Sequence, residues 1–206
     1  MEEKKLAVII TGPSGVGKDT IIESLLADAS IEAVRALRHT SRQSRSGEES
    51  GSTHCFVSTE KFQQLVSDNA FIEWNQSGSH LYGTTYDSFN DALRNSRLVL
   101  LDVGVVSALN IQRSATIQRC KVLMIFLSPV EKSVLFSQGG IDAAVGVLRR
   151  RIEGRSSGEL VAEIADRLEK GREDLWRARL FANIVTCKEG LVEESVSEVK
   201  RIISEH

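Results

Sequence analysis

The sequence predicts an α/β fold in which a parallel sheet is flanked by helices. Runs of apolar and β-branched residues, typical of strands buried in a parallel sheet, occupy residues 6–11, 98–103 and 122–127, with a shorter run at 183–186. Stretches with helical spacing lie between and after these runs, at residues 19–28, 103–113, 159–179 and 192–204. Because strands that alternate with helices pair in parallel, this order predicts one α/β core.

The first predicted strand leads directly into a glycine-rich loop. Residues 12–20 read Gly-Pro-Ser-Gly-Val-Gly-Lys-Asp-Thr and are followed by a helix-like segment. Glycines let the backbone turn so that successive N–H groups face an anion, and the start of the helix adds unpaired donors. Lys18 adds a full positive charge for the outer phosphates of a nucleotide. Strand, glycine loop with lysine, and helix together predict a phosphate-binding loop.

The C-terminal elements continue the alternation of strands and helices. The last helix-like stretch carries apolar residues along one face, as expected of a helix that packs on a sheet: Val192, Val196, Val199 and Ile203. Residues 131–147 also have a largely helical pattern, but Gln138-Gly139-Gly140 interrupts it. We assign no functional role to that segment.

Residues 38–88 depart from this alternation and predict an inserted subdomain. They are rich in Ser, Thr, Gly, Arg and Glu, with short alternating segments such as Cys55-Phe56-Val57 that are typical of a small sheet. A second polar stretch, Arg155 to Glu159, separates two helix-like runs. Two polar inserts on a rigid phosphate-binding core suggest closure over two substrates.

Composition narrows the classes of protein that fit. The chain has 206 residues, 41% of them apolar and 26% charged, which is ordinary for a soluble globular protein. Its formal net charge is −2, so no overall basic field favours nucleic acid or a membrane surface as a partner. Three widely spaced cysteines suit reduced thiols better than disulfides or a zinc site. The charged N-terminus has no signal-peptide pattern, so we expect a cytoplasmic protein.

Three further motifs follow the glycine loop in a characteristic order. Residues 39–56 contain Thr-Ser-Arg-Gln-Ser-Arg-Ser-Gly-Glu, followed by Phe71-Ile72-Glu73-Trp74 and by Tyr82-Gly83-Thr84. With the loop, this order resembles guanylate kinase, whose family pattern is T-x-R-x-x-R-x-G-E, then F-hydrophobic-E, then Y-G-[ST]. The resemblance covers roughly residues 6–125 and 148–203. Further along, Arg151-Ile152-Glu153-Gly154-Arg155 resembles the family's lid motif R-x-x-G-R.

The resemblance implies a fold, an organisation and a reaction. The fold would be a P-loop NTPase-type parallel sheet flanked by helices, with an inserted small GMP-binding subdomain and a lid. The single domain would divide into a core (1–37, 89–149 and 168–206), a GMP-binding insert (38–88) and a lid (about 150–167). The activity would be ATP-dependent phosphorylation of GMP to GDP with Mg²⁺. The small-molecule substrates would be ATP and GMP. The oligomeric state would be a monomer or a homodimer.

The resemblance also implies roles for individual residues. ATP would be bound by Gly12, Pro13, Ser14, Gly15, Val16, Gly17, Lys18, Asp19 and Thr20. GMP would be bound by Arg42, Arg45, Glu48, Glu73, Tyr82, Thr84 and Asp102. Charge on the transferring phosphoryl group would be neutralised by Lys18, Arg42, Arg151, Arg155 and Arg167. Because Asp19 stands where the pattern usually has Ser or Thr, the hydroxyl near Mg²⁺ would come from Thr20, and Asp102 would orient a water on the metal.

Several positions depart from the family pattern and keep two alternatives open. Arg38 stands where the family commonly has a serine that touches the base, His54 where it has a tyrosine, and Gly104 where it has a second acid. The first alternative is a sister kinase that acts on ribose 1,5-bisphosphate, because such proteins share the loop form Gly-Lys-Asp-[Ser/Thr]. The second is a non-catalytic module that binds a phosphopeptide, although such modules generally lose the glycine loop and its lysine.

Overall fold

The structure is a computed structural model that describes residues 5–44, 48, 50–51, 54–111, 117, 120–155 and 161–206, with Arg155 described by its backbone alone. Its strands are β1 (Leu6–Thr11), β2 (Ala33–Arg35), β3 (Arg38–Thr40), β4 (His54–Phe56), β5 (Phe71–Ser77), β6 (His80–Thr85), β7 (Leu98–Asp102), β8 (Lys121–Ser128) and β9 (Asn183–Thr186). Its helices are α1 (Lys18–Leu26), α2 (Thr59–Ser67), α3 (Tyr86–Asn95), α4 (Val105–Ile111), α5 (Lys132–Leu135), α6 (Gly140–Arg155), α7 (Val161–Arg177) and α8 (Val192–Ser204), with a short 3-10 helix at Ala178–Leu180.

The core is a parallel sheet with the strand order β2-β7-β1-β8-β9. Its central strand, β1, pairs with β7 on one side and β8 on the other, and five of its six residues are buried. All its neighbours run in the same direction, so the carboxyl ends of the strands share one edge. That edge is where ligands bind in open α/β sheets, and it carries the glycine loop after β1 and Asp102 at the end of β7.

A second sheet lies within residues 38–85 and has the order β4-β3-β6-β5. Strands β5 and β6 form an antiparallel hairpin, β6 also pairs antiparallel with β3, and β3 pairs parallel with β4. Helix α2 begins at the cap residue Ser58, whose hydroxyl accepts a hydrogen bond from the N–H of Lys61. The ring of its buried Phe62 stacks on Phe71 of β5 at 4.5 Å, which anchors the helix to the sheet.

The predicted fold class is confirmed: helices flank a parallel sheet. The four predicted strands are present, and the predicted helices correspond to α1, α4, α7 and α8. The interruption at residues 138–140 separates α5 from α6. Strand β2, on the edge of the core sheet, was absent from the sequence prediction. None of the helices in the described part of the chain is both long enough and apolar enough to cross a membrane.

Candidate active site

The glycine loop between β1 and α1 has the backbone geometry that a phosphate-binding loop needs. At Gly12 the φ angle is 146°, and a Cβ there would lie 2.6 Å from the carbonyl oxygen of Leu127, so only glycine fits. Gly17 caps α1 with φ of 111° in the left-handed region. Val16 is buried and fixes the middle of the loop against the core. The loop therefore turns sharply between β1 and α1 and leads directly into the N-terminus of that helix, where backbone donors favour an anion.

Lys18 is held against the loop from which it projects. Its ammonium donates hydrogen bonds to the carbonyl oxygens of Gly12 at 2.9 Å and Pro13 at 3.3 Å. Both acceptors are neutral, so the positive charge is not cancelled by them and is available to an anion on the loop. The side chain lines a cleft at the carboxyl edge of the core sheet.

This cleft brings the predicted donor and acceptor residues together. It has a volume of about 540 Å³ and lies between the glycine loop, the second sheet and α7. Among the predicted site residues, its lining includes Gly12, Ser14, Lys18, Asp19, Arg42, Glu48, Tyr82, Asp102 and Arg167. The volume is within the range of small-molecule sites. Arg45 lies outside the described residues.

Arg42 is oriented by Glu48. Two guanidinium nitrogens of Arg42 donate to the two carboxylate oxygens of Glu48, at 2.8 and 3.1 Å. The same guanidinium lies 5.3 Å from the centre of the Phe56 ring. Glu48 raises the pKa of Arg42, which is charged in any case. Glu48 therefore acts on the cleft through Arg42, in addition to lining it.

Glu73 is buried in the second sheet and held by Thr84. One carboxylate oxygen of Glu73, Oε1, accepts hydrogen bonds from the backbone N–H and the hydroxyl of Thr84, both at 3.1 Å. Thr84 is 1% exposed, so its hydroxyl fixes Glu73 and does not line the cleft. The Arg38 Nε lies 3.8 Å from the same oxygen of Glu73. Arg38 lines the cleft, and Glu73 lies behind it.

The candidate metal-binding side chains are divided between two sides of the glycine loop. The structure brings Asp19 and Asp102 into the cleft with Lys18, whereas Thr20 lies in a neighbouring cavity. The Oδ1 atom of Asp102 is buried and accepts no hydrogen bond from any described residue. The Asp19 carboxylate is exposed and lies 3.7 Å from the guanidinium of Arg35. The described part of the chain holds no cluster of three or more His, Cys, Asp or Glu side chains suited to a metal ion.

The neighbouring cavity lies on the other side of the glycine loop. It has a volume of about 330 Å³ and is formed by the loop, the start of α1, the end of α6 and the segment after β9. Its lining includes Gly15, Gly17, Thr20, Arg151 and Lys188. The glycine loop therefore separates two cavities, and each has a basic side chain in its wall.

Two of the three predicted lid arginines contact the glycine loop. Arg151 donates hydrogen bonds to the carbonyl oxygens of Val16 at 3.2 Å and Cys187 at 2.6 Å. The guanidinium of Arg167 donates two hydrogen bonds to the hydroxyl oxygen of Ser14, at 3.1 and 2.9 Å. Arg155 ends α6, and its side chain lies outside the described residues. Helices α6 and α7 thus attach to the loop through guanidinium groups.

The sequence analysis does not identify two charged residues of α7 that line the cleft, Lys170 and Asp174. Asp174 is buried, and this burial raises the pKa of its carboxyl group to about 6, although the charges of Lys18 and Lys170 act in the opposite direction. The ammonium of Lys170 donates a hydrogen bond at 3.1 Å to the carbonyl oxygen of Gln76 in β5. Lys170 therefore links α7 to the second sheet across the cleft. In the sequence both look like ordinary charges on an amphipathic helix.

Known proteins of one family match the chain over nearly its whole length. The family model described as Guanylate kinase covers residues 4–206. A guanylate kinase of Prochlorococcus marinus (strain MIT 9312) is 36% identical over 136 residues, which span 66% of this chain and 71% of the relative. One from Prochlorococcus marinus subsp. pastoris is 30% identical over 203 residues, spanning 98% and 99%. A Bacillus subtilis guanylate kinase is 26% identical over 207 residues, spanning 100% and 92%.

A solved structure has the same fold. The crystal structure of guanylate kinase from Anaplasma phagocytophilum superposes with a TM-score of 0.68 at 18% sequence identity, over 100% of this chain and 87% of the other. At that identity the likeness concerns the fold alone. The match over residues 4–206 and the relative that is 30% identical along almost its entire length decide membership. The chain belongs to the guanylate kinase family.

Proposed function

We propose that the protein is a nucleoside monophosphate kinase that transfers the γ-phosphoryl group of ATP to GMP, giving ADP and GDP. The observation that carries the proposal is the shared cleft: Lys18 of the glycine loop and Arg42 of the second sheet line the same cavity. One cation suits a donor phosphate and the other an acceptor phosphate. Family membership supports the same reaction.

The two cavities suggest how the donor is placed. The triphosphate would lie along the glycine loop, with its γ-phosphate beside Lys18 and its nucleoside in the cavity that contains Thr20 and Arg151. Thr20, at the start of α1, would contact an inner phosphate of the donor. Arg151 and Arg167 already contact the loop, so their charges stand beside the phosphates that the loop would bind.

The acceptor would occupy the part of the cleft formed by the second sheet. Arg42 presents a planar fork of donors, which matches the oxygens of a phosphate, and Tyr82 adds a phenolic hydroxyl in the same cavity. Glu73 would accept a hydrogen bond from the N1–H of guanine. The acceptor phosphate oxygen would form a bond to the γ-phosphorus as the bond to the leaving ADP oxygen breaks. This transfer needs positioning and charge neutralisation but no protein nucleophile.

The residues in the cleft are compatible with Mg²⁺, which kinases of this type use with ATP. Asp102 offers a buried carboxylate oxygen that accepts no hydrogen bond from a described residue, and Asp19 offers an exposed carboxylate in the same cleft. Carboxylate oxygens are preferred ligands of Mg²⁺, which in kinase sites is also held by substrate phosphates and water. When bound, the ion would neutralise charge on the β- and γ-phosphate oxygens. We therefore propose that Asp19 and Asp102 face the metal and that Thr20 contributes from the donor side.

A coupled assay of ADP release tests the proposed reaction. The protein is supplied with Mg²⁺ and ATP, and GMP is compared with AMP, CMP, UMP and ribose 1,5-bisphosphate as acceptors. We expect GMP to give the highest kcat/KM. Release with the sugar bisphosphate but none with GMP would assign the protein to the sister kinase instead.

Lys18 tests the donor side of the proposal. Lys18→Met removes the charge but keeps a long apolar stem, so we expect turnover to fall below detection while the circular dichroism spectrum stays unchanged. Lys132→Met, on the short helix α5 and outside both cavities, is the matched control and should retain full turnover. Activity retained in Lys18→Met would contradict the donor site proposed here.

A further inference from the structure

We propose that Arg38 and Asn75 are specificity-determining residues for the acceptor base, and that the acceptors are 6-oxopurine nucleoside monophosphates as a class. This inference rests on the proposed kinase function and concerns the same cleft. Arg38 would contact the 6-oxo group beside Glu73, and Asn75 would face the C2 substituent. GMP and IMP would then both be substrates, and AMP would be rejected.

The second sheet places Arg38 and Glu73 side by side. In the pairing of β3 with β6, Arg38 lies opposite Thr84, and in the pairing of β5 with β6, Glu73 also lies opposite Thr84. Residues paired directly across a sheet project their side chains from the same face. Arg38, Thr84 and Glu73 therefore form one row across three strands. The next row on the same face contains Tyr82 and Asn75, which pair with each other.

Both charged groups of the first row have hydrogen-bonding capacity that the described residues do not use. The Nε and one terminal nitrogen of Arg38 are buried and donate to no described group, and Oε2 of Glu73 accepts from none. The 3.8 Å separation of Arg38 Nε and Glu73 Oε1 is too long for a hydrogen bond. Buried polar groups without partners are costly, so such atoms at a cleft commonly mark where a ligand binds. A nucleotide whose base offers one hydrogen-bond donor and one hydrogen-bond acceptor would satisfy these atoms.

The arrangement of Arg38 as a donor beside Glu73 as an acceptor determines which base can bind. Arg38 lines the cleft and Glu73 lies directly behind it, so a base that reaches Glu73 must also contact Arg38. Arginine can only donate, and an ionised glutamate can only accept. A 6-oxopurine offers O6 as an acceptor next to N1–H as a donor, which matches the pair. Adenine would turn an amine donor toward Arg38 and an unprotonated N1 toward Glu73. Neither contact could form, so the unused hydrogen-bonding atoms of both side chains would stay without partners.

Asn75 occupies the space beside Gly104 from which an acidic side chain would reach the base. A Cβ added to Gly104 would lie 2.7 Å from Nδ2 of Asn75, so the amide stands where the side chain at position 104 would begin. Asn75 lines the cleft together with Gly104. The oxygen of a neutral amide can accept a hydrogen bond from the guanine amine. Hypoxanthine lacks that amine, and leaving a neutral amide without this partner costs less free energy than leaving a carboxylate without it. Discrimination at C2 is therefore weaker than an acid would give.

The same geometry disfavours a second phosphate in place of a base. A dianion beside Arg38 would also lie against the buried carboxylate of Glu73, whose repulsion offsets the attraction of the guanidinium. A neutral ring edge that both donates and accepts has no such conflict. A base is thus the better match for this pair of charges.

The substrate series on the unmodified protein is the first test. We measure kcat/KM with Mg²⁺ and ATP for GMP, IMP, AMP and 2-aminopurine riboside monophosphate, which keeps the C2 amine but lacks O6. We expect IMP to lie within about 10-fold of GMP, the loss of one neutral hydrogen bond. AMP and the 2-aminopurine nucleotide should be poorer by about 1,000-fold or more, since buried groups stay unpaired. IMP poorer than GMP by about 1,000-fold would overturn the proposal.

Two variants test the assigned residues. Asn75→Asp keeps the side-chain shape and introduces an acid, so the ratio of kcat/KM for GMP over IMP should rise about 10-fold or more. Arg38→Met keeps a long stem but no donor, so it should lower the ratio for GMP over AMP by about 10-fold or more. Arg94→Met, on the exposed face of α3, is the control and should change neither ratio. Melting temperatures establish that each variant is folded.

The outcomes separate this inference from the proposed function. If GMP is phosphorylated but neither the GMP/IMP ratio nor the GMP/AMP ratio changes in the variants, the specificity assignment is wrong and the kinase assignment stands. If the unmodified protein phosphorylates ribose 1,5-bisphosphate and no nucleotide, both fail. If Arg38→Met does not fold, the comparison of GMP with the 2-aminopurine nucleotide on the unmodified protein still decides whether O6 is recognised.

Discussion

Replacing the buried Asp174 by asparagine should change how the stability of the protein depends on pH. Burial raises the pKa of the Asp174 carboxyl group from 3.8 to about 6. Between these values the folded protein keeps a proton that the unfolded chain has released. The contribution of this group to stability is therefore fully present below about pH 4 and is lost as the pH rises through 6. Asparagine has the same shape and does not titrate.

The size of the effect follows from the two pKa values. At about 1.4 kcal/mol per pKa unit, the shift corresponds to about 3 kcal/mol of unfolding free energy lost between pH 4 and pH 7. Other groups also titrate in this range: burial lowers the pKa of His39 and His54, which has the opposite effect on stability. The difference between Asp174→Asn and the unmodified protein removes these shared contributions.

Urea unfolding from pH 4 to pH 8 measures this difference. We expect the unfolding free energy of Asp174→Asn, relative to the unmodified protein, to increase by about 3 kcal/mol across the range and to be constant above pH 7. Glu169→Gln removes an exposed carboxylate from the same helix and controls for the loss of one charge. A difference for Asp174→Asn that does not vary with pH would refute the reasoning.

Three other outcomes follow from the structure. Phe62→Ala should lower the unfolding free energy by about 3–5 kcal/mol, because the ring of Phe62 is fully buried and stacks on Phe71. Leu180→Ala, at an exposed position, is the control and should have little effect. Urea unfolding measures both changes. Ser14→Ala removes the acceptor of two Arg167 hydrogen bonds, so kcat should fall about 10-fold with an unchanged melting temperature; an unchanged kcat would show that this contact does not serve turnover. Burial raises the pKa of Cys187 to about 11, so iodoacetamide at pH 8 should label the partly exposed Cys55 before Cys187. Peptide mass spectrometry measures the labelling of each cysteine. Faster labelling of Cys187 would contradict its burial.

The sequence predicts the core of the fold because its signals there are local. The apolar run of β1, the glycines of the loop and Lys18 specify strand, turn and helix within about twenty consecutive residues. Strand β2 was missed because Ala33–Arg35 is too short to have a period of its own. Its pairing with β7 makes it a strand, and pairing is a long-range property that one sequence does not display.

The same distinction applies to the candidate site. The motifs predicted that Lys18 and Arg42 belong to one site, because a motif records residue type and spacing. The contact of Thr84 with Glu73 depends instead on strand register, which shifts at an irregularity between Phe71 and Glu73. The burial of Asp174 depends on how α7 packs against the rest of the core. Neither of these relationships leaves a periodic signal.

The bidentate contact between Glu48 and Arg42 has a consequence for how readily the cleft can bind a phosphate. Glu48 holds both terminal nitrogens of Arg42, so the plane of the guanidinium is fixed before a ligand arrives. A guanidinium has five N–H donors, and a carboxylate that takes two of them leaves others for a phosphate. A phosphate can therefore bind the oriented group without displacing Glu48. The arginine side chain has already lost conformational freedom on folding, so less binding free energy goes into ordering it.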